Sequence, residues 1–166
     1  MFNFHLSYKW IHFRAPKEDL APVPDGLQRD WVQTPGGRIE ILSAHPQEAT
    51  SKSPIYFVHG GMGCAWMWSE YMRYLSKQGI PCYAVSMRGH GASWTPSFLR
   101  MVYGTTKRML ADDAIAGLKW VQQREGSEVV LVGHSSGGGL SQLILSEKNV
   151  KVKGLALLGA VPGFGS

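Results

Sequence analysis

Residues 128–145 read EVVLVGHSSGGGLSQLIL, two apolar runs separated by Gly133, Gly137, Gly138 and Gly139 with the adjacent serines Ser135 and Ser136 between them. The entering run is short and β-branched, as in a strand covered on both faces, and the leaving run has helical spacing. The turn between them must therefore be sharp. A serine on such a turn adopts a backbone conformation that costs about 1–3 kcal/mol. It is tolerated when the residues two positions either side carry no side chain to clash, and Gly133 and Gly137 meet that condition around Ser135. Ser136 does not, because His134 stands two residues before it. Gly138 and Gly139 each cost a helix about 1 kcal/mol relative to alanine. That cost is easiest to understand if the helix start packs very close to a strand or a ligand.

Working outward, the same strand–turn–helix grammar recurs. Upstream, LQRDWVQTPGGRIEILSAH (27–45) reads as two strands around a Pro-Gly-Gly turn. SPIYFVHGG (53–61) reads as a buried strand, AWMWSEYMRYLSKQG (65–79) as a helix stopped by Gly79, and IPCYAVSMRGHG (80–91) as a strand entering a glycine-rich turn. In that helix Trp68, Tyr71, Met72 and Leu75 stand at helical spacing. TPSFLRMVYGT (95–105) reads as loop. Residues 105–126 read as a helix with Leu110, Ala114, Leu118 and Val121 on one face. GGGLSQLILSEKN (137–149) is the helix after the opening strand, and VKVKGLALLGAVP (150–162) supplies a further strand. Strands alternating with helices imply crossover units and a parallel sheet. The expected architecture is an α/β three-layer sandwich with a mostly parallel sheet, led in by an antiparallel hairpin. Residues 1–26 read as an aromatic extension (Phe2, Phe4, Trp10, Phe13) with a proline-rich lead-in, and 27–166 as the core.

Three strand-end turns carry the chemistry. Gly133-His134-Ser135-Ser136-Gly137 matches G-x-S-x-G in its required strand–turn–helix setting. His59-Gly60-Gly61-Met62-Gly63 follows another strand, and such a loop can aim backbone N–H groups at a developing oxyanion. Arg88-Gly89-His90-Gly91-Ala92-Ser93 ends a third. Through HGGMGCAWMW, SMRGHGAS and GHSSGG, in that order and at those separations, about residues 27–160 resemble the N-terminal half of an α/β-hydrolase, with about six of the family's roughly eight strands.

The resemblance implies that Ser135 is the nucleophile and that the N–H groups of Gly61 and Ser136 form the oxyanion hole, with Met62 as the alternative donor. It implies that His59 and Gly60 organise the oxyanion loop, that Arg88 and His90 shape their turn, and that no metal or organic cofactor takes part. Ser86 stands where the family often has aspartate, which is expected to weaken a structural hydrogen bond. The reaction implied is cleavage of an ester or similar small-molecule acyl substrate through an acyl-enzyme on Ser135.

The simpler readings point elsewhere for several residues. His59, His90 and His134 lie inside backbone-shaping turns and are expected to be structural. Of Asp112 and Asp113, about 100° apart on a helix, one should face solvent and one make a polar contact. The Trp and Met residues of 62–72 are open to two readings, an acyl pocket or core. No histidine follows His134, and Glu147 is the one acid after Ser135, poorly placed on a helix. The catalytic imidazole and acid that a serine hydrolase needs are therefore absent from this chain. A downstream segment or a second chain is expected to supply them and to pair with the apolar edge LALLGAV. The chain alone is expected to be inactive. The alternatives are a catalytically silent protein of this fold used for binding or assembly, and cofactor-free lyase or peroxidase chemistry.

Composition bounds the rest. A hydrophobic share of 44% with 17% charged residues suits a globular core. The net charge of +5 is scattered, with no basic run beyond KVK (151–153), so nucleic-acid binding is not expected. Two cysteines outside any C-x-x-C pair speak against zinc and against a disulfide framework, and make a reducing cytoplasm the default compartment. No run approaches the roughly 18 apolar residues of a membrane span.

Overall fold

The structure, a computed structural model, describes residues 20–48 and 51–163; the aromatic extension lies largely outside the described residues. Strand β1 (Gln28–Thr34) and strand β2 (Gly37–Ala44) form the expected antiparallel hairpin, with Gln28 opposite Ser43 and Thr34 opposite Gly37. Strands β3 (Ile55–Val58), β4 (Cys82–Ser86), β5 (Val130–His134) and β6 (Gly154–Leu158) are short, as strands covered by crossover helices are. They join the hairpin in one six-stranded sheet of order β1-β2-β4-β3-β5-β6. β2 runs antiparallel to β4, and the pairs β3/β4, β3/β5 and β5/β6 are parallel.

Helix α1 (Ser69–Lys77) covers one face of the sheet, where Trp68 and Met72 pack with Phe57, Leu42, Ala84 and Val132. Helices α2 (Lys107–Glu125) and α3 (Ser136–Ser146) cover the other, over Ile41, Tyr56, Val58, Tyr83, Val85 and Leu131. This is the three-layer α/β arrangement expected. Val23 and Leu27 of the lead-in pack against the α1 side.

α2 begins where the Thr106 hydroxyl accepts the Met109 N–H at 3.2 Å and ends at Gly126 with φ +64°. Ala114, Leu118 and Val121 are buried on its inner face, with Leu110 partly buried.

The structure departs from the sequence reading in two segments. The helix expected over 65–79 starts as a 3-10 turn (Ala65–Trp68) before α1, and Tyr71 is 57% exposed. Tyr71 and Met72 are a hundred degrees apart on a helix, so only one of them faces the sheet. The segment 95–105, expected as loop, contains a π-helical turn at Arg100–Gly104, from which Met101 packs onto the backbone at Gly89.

Candidate active site

The C-terminal ends of β3, β4 and β5 meet at one rim of the sheet, the edge at which parallel α/β sheets present their loops. Ser135 occupies the single residue between β5 and α3, at φ 51° and ψ −123°, a region that side chains disfavour. Its surroundings hold that conformation. The Ser135 N–H donates to the Leu158 carbonyl at 3.1 Å. The Ser135 carbonyl accepts from the N–H groups of Gly138 at 3.0 Å, Gly139 at 3.3 Å and Val161 at 3.1 Å. β6 and the segment after it thus hold the turn from outside.

The glycines are explained by close approach. A Cβ on Gly137 would lie 2.2 Å from the His59 carbonyl oxygen, and one on Gly138 would lie 2.3 Å from the Ala160 Cβ. The start of α3 is pressed against β3 and the post-β6 segment, which answers the expectation that its glycines serve tight packing.

The loop after β3 lies against this turn. A Cβ on Gly60 would stand 2.9 Å from the Ser135 Cβ, and one on Gly61 3.6 Å from the Ser136 hydroxyl. A turn closes from the Gly63 N–H to the Gly60 carbonyl at 3.2 Å, and no described group takes the Gly61 N–H. Ser136 is the first residue of α3, where a helix has no internal partner for its N–H. Met62 sits at the tip with φ 63° and its side chain wholly exposed.

His59 is fully buried, and both ring nitrogens are in use. Its Nδ1–H donates to the Gly60 carbonyl at 2.7 Å, and Nε2 accepts the Met87 N–H at 3.2 Å. Burial, opposed in part by the hydrogen bond to Gly60 and helped by the neighbouring His90, lowers its pKa to about 4. His59 is therefore a neutral brace between the ends of β3 and β4. His90 donates from Nδ1 to the Arg88 carbonyl at 2.9 Å, its ring 4.8 Å from that of His59. His134 sets its ring edge-on to Trp68, and its buried Nδ1 has no partner among the described residues. No described histidine hydrogen-bonds Ser135.

Two buried acids hold the remaining turn. Asp113, fully buried on α2, takes the Arg88 guanidinium through Nε and Nη2, both at 2.7 Å, and the Arg88 backbone N–H at 2.9 Å. Asp112 faces outward and pairs with Arg108 at 2.7 Å. Glu147 also pairs with Arg108, bridging α3 to α2. Glu40 of β2, fully buried, accepts from Ser86 Oγ at 2.7 Å, the Ala92 N–H at 3.0 Å and Arg29 Nε at 2.8 Å. Ser86 therefore keeps full hydrogen bonding, with Glu40 supplying a carboxylate from the neighbouring strand. Sequence reading missed Glu40. The one signal was a charged residue inside RIEIL, a strand with apolar residues on both faces.

Beside the Ser135 turn lies a cavity of about 380 Å³, bordered by Gly60, Gly61 and Ser136 at one part and by Leu140, Leu143 and Val161 at another. The Trp and Met stripe does not border it. Trp68 and Met72 belong to the core under α1, and Met62 and Met67 face outward. Of the two readings of that stripe, the core one holds for Trp68 and Met72, which follow the loop after β3 onto the opposite face of the sheet. The Cys64 thiol, next to the loop, has its pKa raised by burial, and Cys82 is pushed up to about 12 by the same cause. Neither favours the thiolate. Among the described residues no helix is long and apolar enough to cross a membrane.

The fold recurs in enzymes of several activities. An epoxide hydrolase from Vigna radiata superposes with a TM-score of 0.66 at 19% identity, over 82% of this chain and 39% of that one. The thioesterase domain from the curacin biosynthetic pathway gives 0.66 at 24% identity, over 86% of this chain and 50% of that one. An esterase from Exiguobacterium antarcticum gives 0.63 at 23% identity, over 80% of this chain and 46% of that one. The chain thus spans half or less of the length of each. Residues 53–165 match the family model described as alpha/beta hydrolase fold. On that match, spanning more than half of the sequence, the chain belongs to the α/β-hydrolase fold family.

Proposed function

We propose that the chain carries the nucleophile and oxyanion-binding part of a serine hydrolase acting on an ester or similar acyl substrate. The observation that carries this reading is the Ser135 backbone, held at φ 51° between β5 and α3. Strain of about 1–3 kcal/mol at a serine, held by four backbone hydrogen bonds, is the mark of a residue positioned for chemistry. In this reading Ser135 Oγ attacks the acyl carbonyl, and the N–H groups of Gly61 and Ser136 stabilise the oxyanion. The tetrahedral adduct expels the alcohol to leave an acyl-serine, and water then releases the acid. The serine proton passes to an imidazole and from it to the leaving alkoxide. Since no described histidine contacts Ser135, that base and its orienting acid come from outside the described residues.

Labelling with a fluorophosphonate tests the reading. The chain together with the segment or partner that supplies the imidazole should be labelled, the chain alone should label poorly, and Ser135→Ala should lose the label. Equal labelling of wild type and Ser135→Ala would exclude Ser135 as the nucleophile. A second reading, a silent fold used for assembly, draws on β6, where Leu155, Leu157 and Leu158 are about two-fifths exposed. Partner-dependent solubility unchanged in Ser135→Ala would favour it.

A further inference from the structure

The cavity beside Ser135 has two unlike parts. Gly60, Gly61 and Ser136, from the oxyanion loop and the start of α3, bring backbone N–H groups and a hydroxyl to it. The other wall is aliphatic: Leu110 from α2, Leu140 and Leu143 from α3, and Val161 with Pro162 after β6. Gly139 borders it with no side chain, and a Cβ there would stand 3.0 Å from a Val161 methyl, so α3 and the post-β6 segment close tightly on this side of the cavity. Among the described residues Lys107, His90 and the buried His59 are the basic groups on its wall, and no acidic side chain and no Phe, Tyr or Trp borders it. Among these described residues a cation would find no carboxylate, and a flat ring no Phe, Tyr or Trp to stack on. At about 380 Å³ the space is at the small end of ligand sites and suits a slender group.

We infer that this cavity receives the unbranched aliphatic acyl chain of the substrate, its carbonyl at the Gly61–Ser136 end and its tail between α2 and α3. The inference rests on the serine-hydrolase reading for the direction of the chain, and it moves the acyl site away from the Trp and Met residues that follow the oxyanion loop.

Carbon-13 methyl spectra of the 166-residue chain, titrated with methyl butanoate, hexanoate and octanoate, test it. Shifts should appear at the methyls of Leu110, Leu140, Leu143 and Val161, and affinity should rise about fourfold per added methylene, the equivalent of about 0.8 kcal/mol. Both Leu143→Trp, which fills the space, and Leu143→Gln, which makes it polar, should weaken octanoate-ester binding at least tenfold. Shifts confined to Leu155 and Leu157 of β6, an affinity independent of chain length, or tighter binding of methyl phenylacetate would overturn the assignment. So would tighter binding of free octanoate than of its methyl ester, which would make the cavity an anion site through Lys107 or His90. Methyl shifts in the chain, with no Ser135 labelling once the imidazole-bearing segment or partner is supplied, would retire the catalytic reading and keep the chain site, whereas labelling without methyl shifts would retire the chain site alone.

Discussion

The Ser86 hydroxyl donates to the Glu40 carboxylate at 2.7 Å inside a site where neither residue has exposed surface. Glu40 is one strand away from Ser86 in the sheet and directly opposite it in register. Through Glu40, the backbone of the Arg88–Ser93 turn is tied to β2 by the Ala92 N–H, and Arg29 supplies the opposing charge. Removing one partner of a buried ion pair leaves the other charge uncompensated and costs about 3–5 kcal/mol. Glu40→Leu should therefore lower the urea midpoint strongly, and adding Arg29→Met should recover much of the loss.

His59 links stability to pH. Its native pKa of about 4 lies below the ordinary value of 6.5, so between these values the unfolded chain binds a proton that the native state refuses. Stability should be unaffected by this group above pH 6.5 and should fall as pH drops from 6.5 toward 4, by about 3 kcal/mol in all. His59→Gln should be less stable than the wild type at pH 7 and should lose less on acidification. Urea unfolding across that range measures both.

The two faces of the glycine question separate cleanly by substitution. Gly137→Ala places a Cβ 2.2 Å from the His59 carbonyl, against backbone that cannot yield, and should cost at least about 3 kcal/mol. Gly126→Ala meets nothing within 4 Å and carries only the left-handed penalty of about 1–2 kcal/mol. Chemical denaturation of the two variants should show that ordering.

Much of this architecture could be read from residue order alone, for reasons visible at particular positions. The strand VVLV and the glycines around Ser135 specify a turn locally, because tight backbone approach demands missing side chains. The hairpin, the helix at 105–126 and the parallel crossovers follow from local periodicity and punctuation. What escaped were the contacts between elements far apart in the chain. Glu40 meets Ser86 and Ala92 across 46 and 52 residues, and Arg88 meets Asp113 across 25. The side of the sheet on which the cavity opens was equally hidden, because the run from Met62 to Met72 is apolar whether it lines a pocket or a core.

β6 presents Leu155, Leu157 and Leu158 at 38%, 42% and 42% exposure on a strand paired only with β5 among the described residues. Such an edge invites pairing with another chain. The isolated chain should scatter light increasingly with concentration, and Leu157→Lys should reduce that self-association at unchanged secondary structure by circular dichroism.

The reactive residue itself is decided by locating the phosphonate adduct. Ser135 and Ser136 are adjacent in the tryptic peptide 125–148, and fragmentation by tandem mass spectrometry separates them. The backbone geometry predicts an adduct on Ser135, with Ser136 unmodified because its N–H, not its hydroxyl, serves the reaction. An adduct on Ser136, or labelling that survives Ser135→Ala undiminished, would contradict the account.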